Sequence, residues 1–386
     1  MQINEVNELC CGCSVCAETC PQRCISLKGD KEGFYKAYID VAACIDCGKC
    51  QSVCPMRNIN ANKVIGAYIF ASENKIYYEK SSSGGFFSHV AEYVLSKNGI
   101  VFGCGCNSDL IPLHIEISKI ESLDRIRRSK YVQSKIDNLF PGIKKYLEEG
   151  RRVLFSGTPC QCAGLKNYLN KDYDNLIIID IICHGTPSPA FYKKNIEYIE
   201  SIKKKQLKKY EFRLKTGDDS IYHSYRQFED GSIDVLPFYK DAYFNEFYDC
   251  TSLNECCYKC PYSNENRVGD ITIGDYDWGK KYHDRLKSFG EVNCVIVNTE
   301  CGSEILNDLP GRFIIEETKL EWIEEKNLNL IRPTVRPNYR DRIYIDINKM
   351  GYNRWVKRSK LSRRYIKKYP LIKWVLSLKR YVAKNY

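Results

Sequence analysis

Cysteine placement near the amino terminus constrains this chain more than any other feature. Cys10, Cys13, Cys16 and Cys20, followed by Pro21, fit C-x2-C-x2-C-x3-C-P, and Cys44, Cys47, Cys50, Cys54 and Pro55 repeat the pattern. Thiolates three residues apart on a tight loop converge on one cubane, while the fourth cysteine of each run points to the other. The crossover predicts two [4Fe-4S] clusters, cluster one on Cys10, Cys13, Cys16 and Cys54 and cluster two on Cys44, Cys47, Cys50 and Cys20. A disulfide framework would suit a secreted mini-protein. The start "MQINEVNELC" lacks the basic and apolar regions of a signal peptide, which places the chain in the reducing cytoplasm. Zinc needs one set of four ligands with a longer spacer between pairs, so the duplicated spacing favours cubanes.

Between the two runs, "CISLKGDKEGFYKAYID" places turn residues between short apolar stretches and reads as strands around a hairpin. Residues 1 to about 60 thus resemble the bacterial two-cluster ferredoxin module. Cys11 and Cys24 fall outside its pattern and read as small buried apolar side chains. A length of 386 residues leaves room for one or two further domains, with the module as an attachment. The net charge of +11 is concentrated at the carboxyl end. From Arg354 to Tyr386 there are twelve Lys and Arg and no acid, so residues 1–353 carry −1. Within that tail, after Pro370, Leu371, Trp374, Val375, Leu378 and Val382 recur at helical spacing among Lys373, Lys379, Arg380 and Lys384. Such a basic amphipathic helix suits peripheral contact with the inner face of an anionic membrane, or docking on the protein's own body. It is too short and too interrupted by lysine to span a bilayer, and no fold signature accompanies it that would indicate specific nucleic-acid binding.

The middle of the chain reads as strands feeding helices. "VIGAYIFAS" and "KIYYEKSSSGGFFSHVAEYVLSKNGIVFGCGC" give strand, loop, helix and strand, with Phe86 or Phe87, Val90, Ala91, Val94 and Leu95 on one helix face. The glycines and free N–H groups at that helix start can approach an anion, although a serine-capped helix after a glycine turn is also commonplace. "RRVLFSGTPCQCAGLKNYL" runs a strand into Thr158 as N-cap and Pro159 as first helical residue, and "NLIIIDIICHGTPSPAFYKKNIEYI" repeats the design. Continuous apolar strands of this kind argue for a parallel sheet covered on both faces, with ligands beyond its carboxyl ends. Cys160, Cys162, Cys183 and His184 are placed there. "YEFRLKTG" and "SYRQFEDGSIDVLPF" read as antiparallel strands around an "EDGS" turn. Cys257 and Cys260 then form C-x2-C before a strand ending in Gly274 and Asp275. With Cys160 and Cys183 they supply four soft ligands for a third cluster, or are simply buried thiols.

The series "SSSGGFFS", "RSKYVQS", "FSGTPCQCAGL", "ICHGTPSP" and "CPYSNENRVGDITIGD" resembles the coenzyme F-420 hydrogenase/dehydrogenase beta-subunit family, from about residue 1 to 320 with the ferredoxin module in front. The resemblance implies an iron–sulfur flavoprotein in which FAD exchanges electrons with an organic partner, deazaflavin coenzyme F-420 among the family's substrates. It implies that Ser83, Gly84 and Gly85 lie near FAD, that Lys130, Tyr131, Gln133 and Thr158 line the same site, and that Gly274 and Asp275 are outer members. A flavin joins the single electrons of clusters to the electron pairs of organic chemistry. No G-x-G-x-x-G follows the first strand, so a nicotinamide site is not indicated.

The expected fold is mixed, α/β and α+β. It comprises a ferredoxin-like module (1–62), a flavin-binding body in two parts (63–145 and 146–330) and a basic helical tail (331–386). The expected function is a cytoplasmic oxidoreductase that passes electrons between a low-potential carrier or partner redox subunit, the clusters, FAD and a small organic substrate. The alternatives are a non-catalytic electron-transfer subunit and a membrane-associated cluster protein. His184 is a candidate acid or base, although a lone histidine beside Gly185 is more often a structural hydrogen-bonder.

Overall fold

The computed structural model describes residues 8–216 and 222–361. In the module, β1 (Ile25–Gly29) pairs with antiparallel β2 (Tyr35–Ile39). The Asp30 carboxylate closes their turn by accepting from the N–H groups of Glu32 at 2.9 Å and Phe34 at 3.0 Å. Gly33 takes φ +84° there, and any Cβ would overlap Ala190.

The strands that follow are β3 (Gly66–Ser72), β4 (Ile100–Cys106), β5 (Pro112–Ile117), β6 (Val153–Gly157) and β7 (Leu176–Ile181). Then come β8 (Leu207–Leu214), β9 (His223–Phe228), β10 (Ile233–Pro237), β11 (Ile271–Asp275), β12 (Asn293–Val297) and β13 (Phe313–Glu317). Eight of them form one mixed sheet in the order β13-β3-β12-β11-β7-β6-β4-β5. Its centre, β11-β7-β6-β4, is parallel, as the apolar strand "LIIIDI" implies, and antiparallel strands flank it on both sides. The two faces are filled by alternate residues of the same strands. Phe102, Phe155 and Ile178 pack with Phe140 and Leu165 from the helices Leu139–Glu148 and Pro159–Leu169. Val101, Leu154 and Ile179 pack with Phe86, Val90 and Val94 of the helix Phe86–Ser96. Each such side chain, fully buried, contributes about 1.5–3 kcal/mol.

Two buried carboxylates tie β7 to the segment entering β11. Asp270 Oδ2 accepts from Ile178 N at 2.7 Å, while Asp180 Oδ2 accepts from the N–H groups of Val268 at 3.1 Å and Gly269 at 3.2 Å. Arg267, itself 1% exposed, reaches Asp180 Oδ1 at 3.4 Å. This clamp sets the level at which the carboxyl ends of β7 and β11 stop.

The compact units do not follow the expected boundaries at 62, 145 and 330. One unit comprises Met1–Ala190 and Leu253–Val335, so the module is built into the body and is not an attachment. Cys13 and Val15 belong to the same buried cluster as Phe155 and Phe140. The Gln133 side chain accepts from Tyr35 N at 2.7 Å and donates to Cys11 O at 2.9 Å. Asn167 donates to Val53 O at 3.1 Å, and the Tyr262 hydroxyl donates to Pro55 O.

The second unit comprises Phe191–Ser252 and the chain from Arg336 onward. Its antiparallel sheet, β10-β9-β8, is as the "EDGS" turn predicts. Its core is aromatic, with Phe191 4.9 Å from Tyr243 and Tyr210 4.8 Å from Phe212, centroid to centroid. Asp241 lies at its centre, accepting from the Tyr210 hydroxyl at 2.5 Å and from Arg226, and capping the helix Ala242–Tyr248 through Tyr243 N and Phe244 N. The basic tail supplies the helices Arg340–Met350 and Tyr352–Leu361 to this unit. The amphipathic stretch with Leu371, Trp374, Val375, Leu378 and Val382 lies outside the described residues. Among the described residues no helix is long and apolar enough to cross a membrane.

Candidate functional site

The eight cysteines of the two runs gather into two groups. Cys10, Cys13, Cys16 and Cys54 line one cavity of about 420 Å³, closed by Val15, Ala37 and Met56. Cys20, Cys44, Cys47 and Cys50 line another, of about 470 Å³ and partly open to solvent, with Ile25, Ile39 and Ile45. Each group takes three thiols from one run and the last from the other. Local backbone geometry makes this possible, because Gly12, Ser14, Asp46 and Gly48 all adopt positive φ and turn the loops inward. The first cavity is the more enclosed, with Cys13, Cys16 and Cys54 buried, whereas Cys47 is exposed in the second. Burial, followed by the charges of Cys10 and Cys54, pushes the Cys16 thiol far above its ordinary value.

A third group forms at the carboxyl ends of the parallel strands. Cys160 opens the helix after β6, Cys183 follows β7, and Cys257 and Cys260 come from the loop before β11. Because β6 and β7 are neighbours, the four thiols interact. Burial, then the charges of Cys257, Cys160 and Cys260, raise Cys183 well above the usual thiol range. Burial and the same neighbours raise Cys260 to about 12. Mutually repelling thiols in a dry pocket are a donor set that a cationic centre would neutralise, with release of their protons. Among the described residues no three His, Cys, Asp or Glu side chains converge tightly enough for a single metal ion. A cubane instead takes one thiolate at each of four irons.

Cysteines outside the spacing pattern are not inert. Cys24 Sγ lies 3.4 Å from Cys20 Sγ. Hydrogen bonding to Cys20 raises the Cys24 thiol to about 11 and, with the Cys24 N–H, lowers Cys20 despite its burial. Cys256 stands in the same relation to Cys257, raised by its hydrogen bond while Cys257 is lowered. Cys11 is hydrogen-bonded to both Cys13 and Cys160, joining the first and third groups. Only the doubled "CC" at 10–11 and 256–257 hints at this in the sequence.

The residues assigned to a flavin are divided. Ser83 donates to Val292 O at 2.7 Å, and the first helical N–H, that of Phe86, is taken by Asn293 Oδ1 at 3.2 Å. A Cβ at Gly84 would fall 2.3 Å from Phe70 O, and Gly85 has φ +96°. Ser83, Gly84 and Gly85 therefore pack the loop onto β3 and β12, so the anion cradle expected from sequence is closed by groups of the protein itself. Gln133 is likewise committed to the module, and Gly274 packs against Ile182 and Cys294.

Lys130, Tyr131 and Thr158 lie near the carboxyl ends of β4 and β6. Thr158 Oγ1 donates to Gln161 Oε1 at 3.1 Å and stands 3.2 Å from Cys160 Sγ. The Lys130 ammonium donates to Arg127 O at 2.5 Å and Arg128 O at 3.1 Å. Burial lowers its pKa, the Cys104 and Cys106 thiols oppose the shift, and among the described residues no carboxylate pairs with it. Cys104 and Cys106 escaped notice in the sequence because "FGCGC" has no ligand spacing. At the end of β7, burial also lowers His184, against the charge of Asp275. Thr334 Oγ1 holds the His184 carbonyl at 2.7 Å, consistent with a structural role.

Residues 150–321 match the family described as the C terminus of the coenzyme F420 hydrogenase/dehydrogenase beta subunit, and residues 9–58 match the 4Fe-4S dicluster domain. No curated protein is significantly similar to the chain. Among solved structures, a chain of the F420-reducing [NiFe] hydrogenase complex from Methanosarcina barkeri aligns at 16% identity. The alignment covers 73% of this chain and 99% of that one, with a TM-score of 0.45.

Proposed function

Since this chain belongs to the coenzyme F420 hydrogenase/dehydrogenase beta-subunit family and carries a 4Fe-4S dicluster domain, we propose that it is an iron–sulfur flavoenzyme relaying electrons between a protein carrier and an organic substrate. The observation that carries the reading is the grouping of twelve thiols into three sets of four, two in the module and one at the strand ends. When bound, three [4Fe-4S] clusters supply one-electron transfer and FAD couples it to two-electron chemistry.

The chain's own residues order this relay. Cys20, Cys44, Cys47 and Cys50 hold the outermost centre, where Val41 at 55% and Ile45 at 60% exposed form an apolar approach for a carrier or partner subunit. Cys10, Cys13, Cys16 and Cys54 hold the next. Cys11, in contact with Cys160, leads to Cys160, Cys183, Cys257 and Cys260. Lys130, a cation with only carbonyl partners, fits an anionic group of the flavin, with Tyr131 and Thr158 beside it. Coenzyme F-420 is one organic substrate consistent with the family. The second reading, a non-catalytic relay subunit, is favoured by the internal use of Ser83–Gly85.

Anaerobic purification tests the proposal. The expected product is brown, with about twelve irons per chain, four to each cubane, and one extractable flavin. About eight irons would remove the third centre. Absence of flavin with full iron would leave the relay subunit as the surviving reading.

A further inference from the structure

A buried ammonium costs several kcal/mol unless it is well partnered, and Lys36 is 4% exposed. Its Nζ donates to Cys10 O at 2.9 Å and to Asn254 Oδ1 at 2.8 Å, while Asn254 Nδ2 donates to the same carbonyl at 3.3 Å. These partners are neutral, and among the described residues no carboxylate pairs with Lys36. The charge is therefore held in place but not cancelled.

Its surroundings show where that charge acts. Cys10 lines the enclosed cavity of the module. Asn254 lies just before Cys256 and Cys257, and Lys36 stabilises the thiolate form of both. The cation thus sits between the first and third thiol groups, on β2 of the module and against the loop of the body. A cluster on four thiolates is already negative and gains another negative charge on reduction. Burial opposes that gain, and a fixed buried cation favours it.

We infer that the Lys36 ammonium raises the reduction potential of the clusters flanking it, on Cys10, Cys13, Cys16 and Cys54 and on Cys160, Cys183, Cys257 and Cys260. It thereby keeps the buried half of the relay able to accept electrons from the outer cluster. The inference rests on the cluster assignments proposed above. Lys36 acts as a positioning residue: it binds no cluster, and its charge reaches both through the Cys10 carbonyl and Asn254.

The test is an electron-paramagnetic-resonance-monitored redox titration of anaerobically purified full-length protein. Lys36→Gln keeps the hydrogen bonds and removes the charge. At a fixed potential, the reduced-to-oxidised ratio of the two inner clusters should fall on the order of tenfold, about 59 mV for a one-electron couple, while the outer cluster is unmoved. Lys36→Arg should restore the wild-type titration. Asn254→Asp, which neutralises the cation without removing it, should lower the same two midpoints, and it decides the matter if Lys36→Gln fails to fold. Iron-replete variants that titrate like wild type would overturn this inference alone. Wild-type protein without iron would overturn the cluster assignments and the inference with them.

Discussion

His114 stands on β5 directly across from Cys104 on β4. Its Nε2–H donates to Ser156 O at 3.0 Å, so Nδ1 accepts from Ser134 Oγ at 3.2 Å, and the ring stacks on Phe155. Burial, with the Lys130 charge added, holds its pKa at about 4, below the ordinary 6.5. Between those values the unfolded chain takes up the proton first. The stabilisation is therefore complete above pH 6.5 and is lost as pH falls toward 4, by up to about 3 kcal/mol. His89, lowered mainly by burial, adds to the same slope. Anaerobic urea melts of wild type and His114→Gln at pH 7 and 5 check this: the variant should lose less stability over the interval. Parallel losses would mean that His114 does not set the slope.

Secondary-structure elements were the most legible part of the sequence, because strand, cap and turn signals are local. Thr158 with Pro159, the run "LIIIDI" and the "EDGS" turn each occupy the predicted element. The two ferredoxin runs were legible for the same reason, since ligand spacing is a short-range property. What was lost depends on distant chain. Ser83 and Phe86 meet Val292 and Asn293 from β12 and the loop before it, and nothing near "SSSGG" announces that. Cys24, Cys11 and Cys256 matter through contacts that no spacing rule contains.

The β8–β10 sheet allows an energetic test at this scale. Asp241, 1% exposed, answers Arg226 and Tyr210 and caps a helix at the same time. Asp241→Ala leaves a buried guanidinium without its counter-charge and should cost about 3–5 kcal/mol. Asp241→Asn keeps the cap and should cost less. Equal, small losses in denaturant melts would show that the pair is not structural.

At the scale of the whole molecule, the chain is divided by contacts and not by order of synthesis. The second unit is assembled from Phe191–Ser252 and a return of the chain after Arg336, a pairing that composition could not reveal. The module is equally inseparable from its unit. Removing residues 1–62 would strip Cys13 and Val15 from the core and leave the Gln133 amide without its Tyr35 and Cys11 partners. Buried polar groups left unmatched cost about 1–3 kcal/mol each. The truncated protein should therefore accumulate as aggregate, and a soluble product with a cooperative melt would contradict the integrated fold.

Cys47 lies open to solvent while Cys13, Cys16 and Cys54 are shut away. In air, corrosion then has a preferred starting corner. Dioxygen arriving from bulk water meets the Cys44–Cys50 loop first, and the inner centres outlast it, so a briefly aerated molecule keeps its interior metal but loses the contact through which the outside world addresses it.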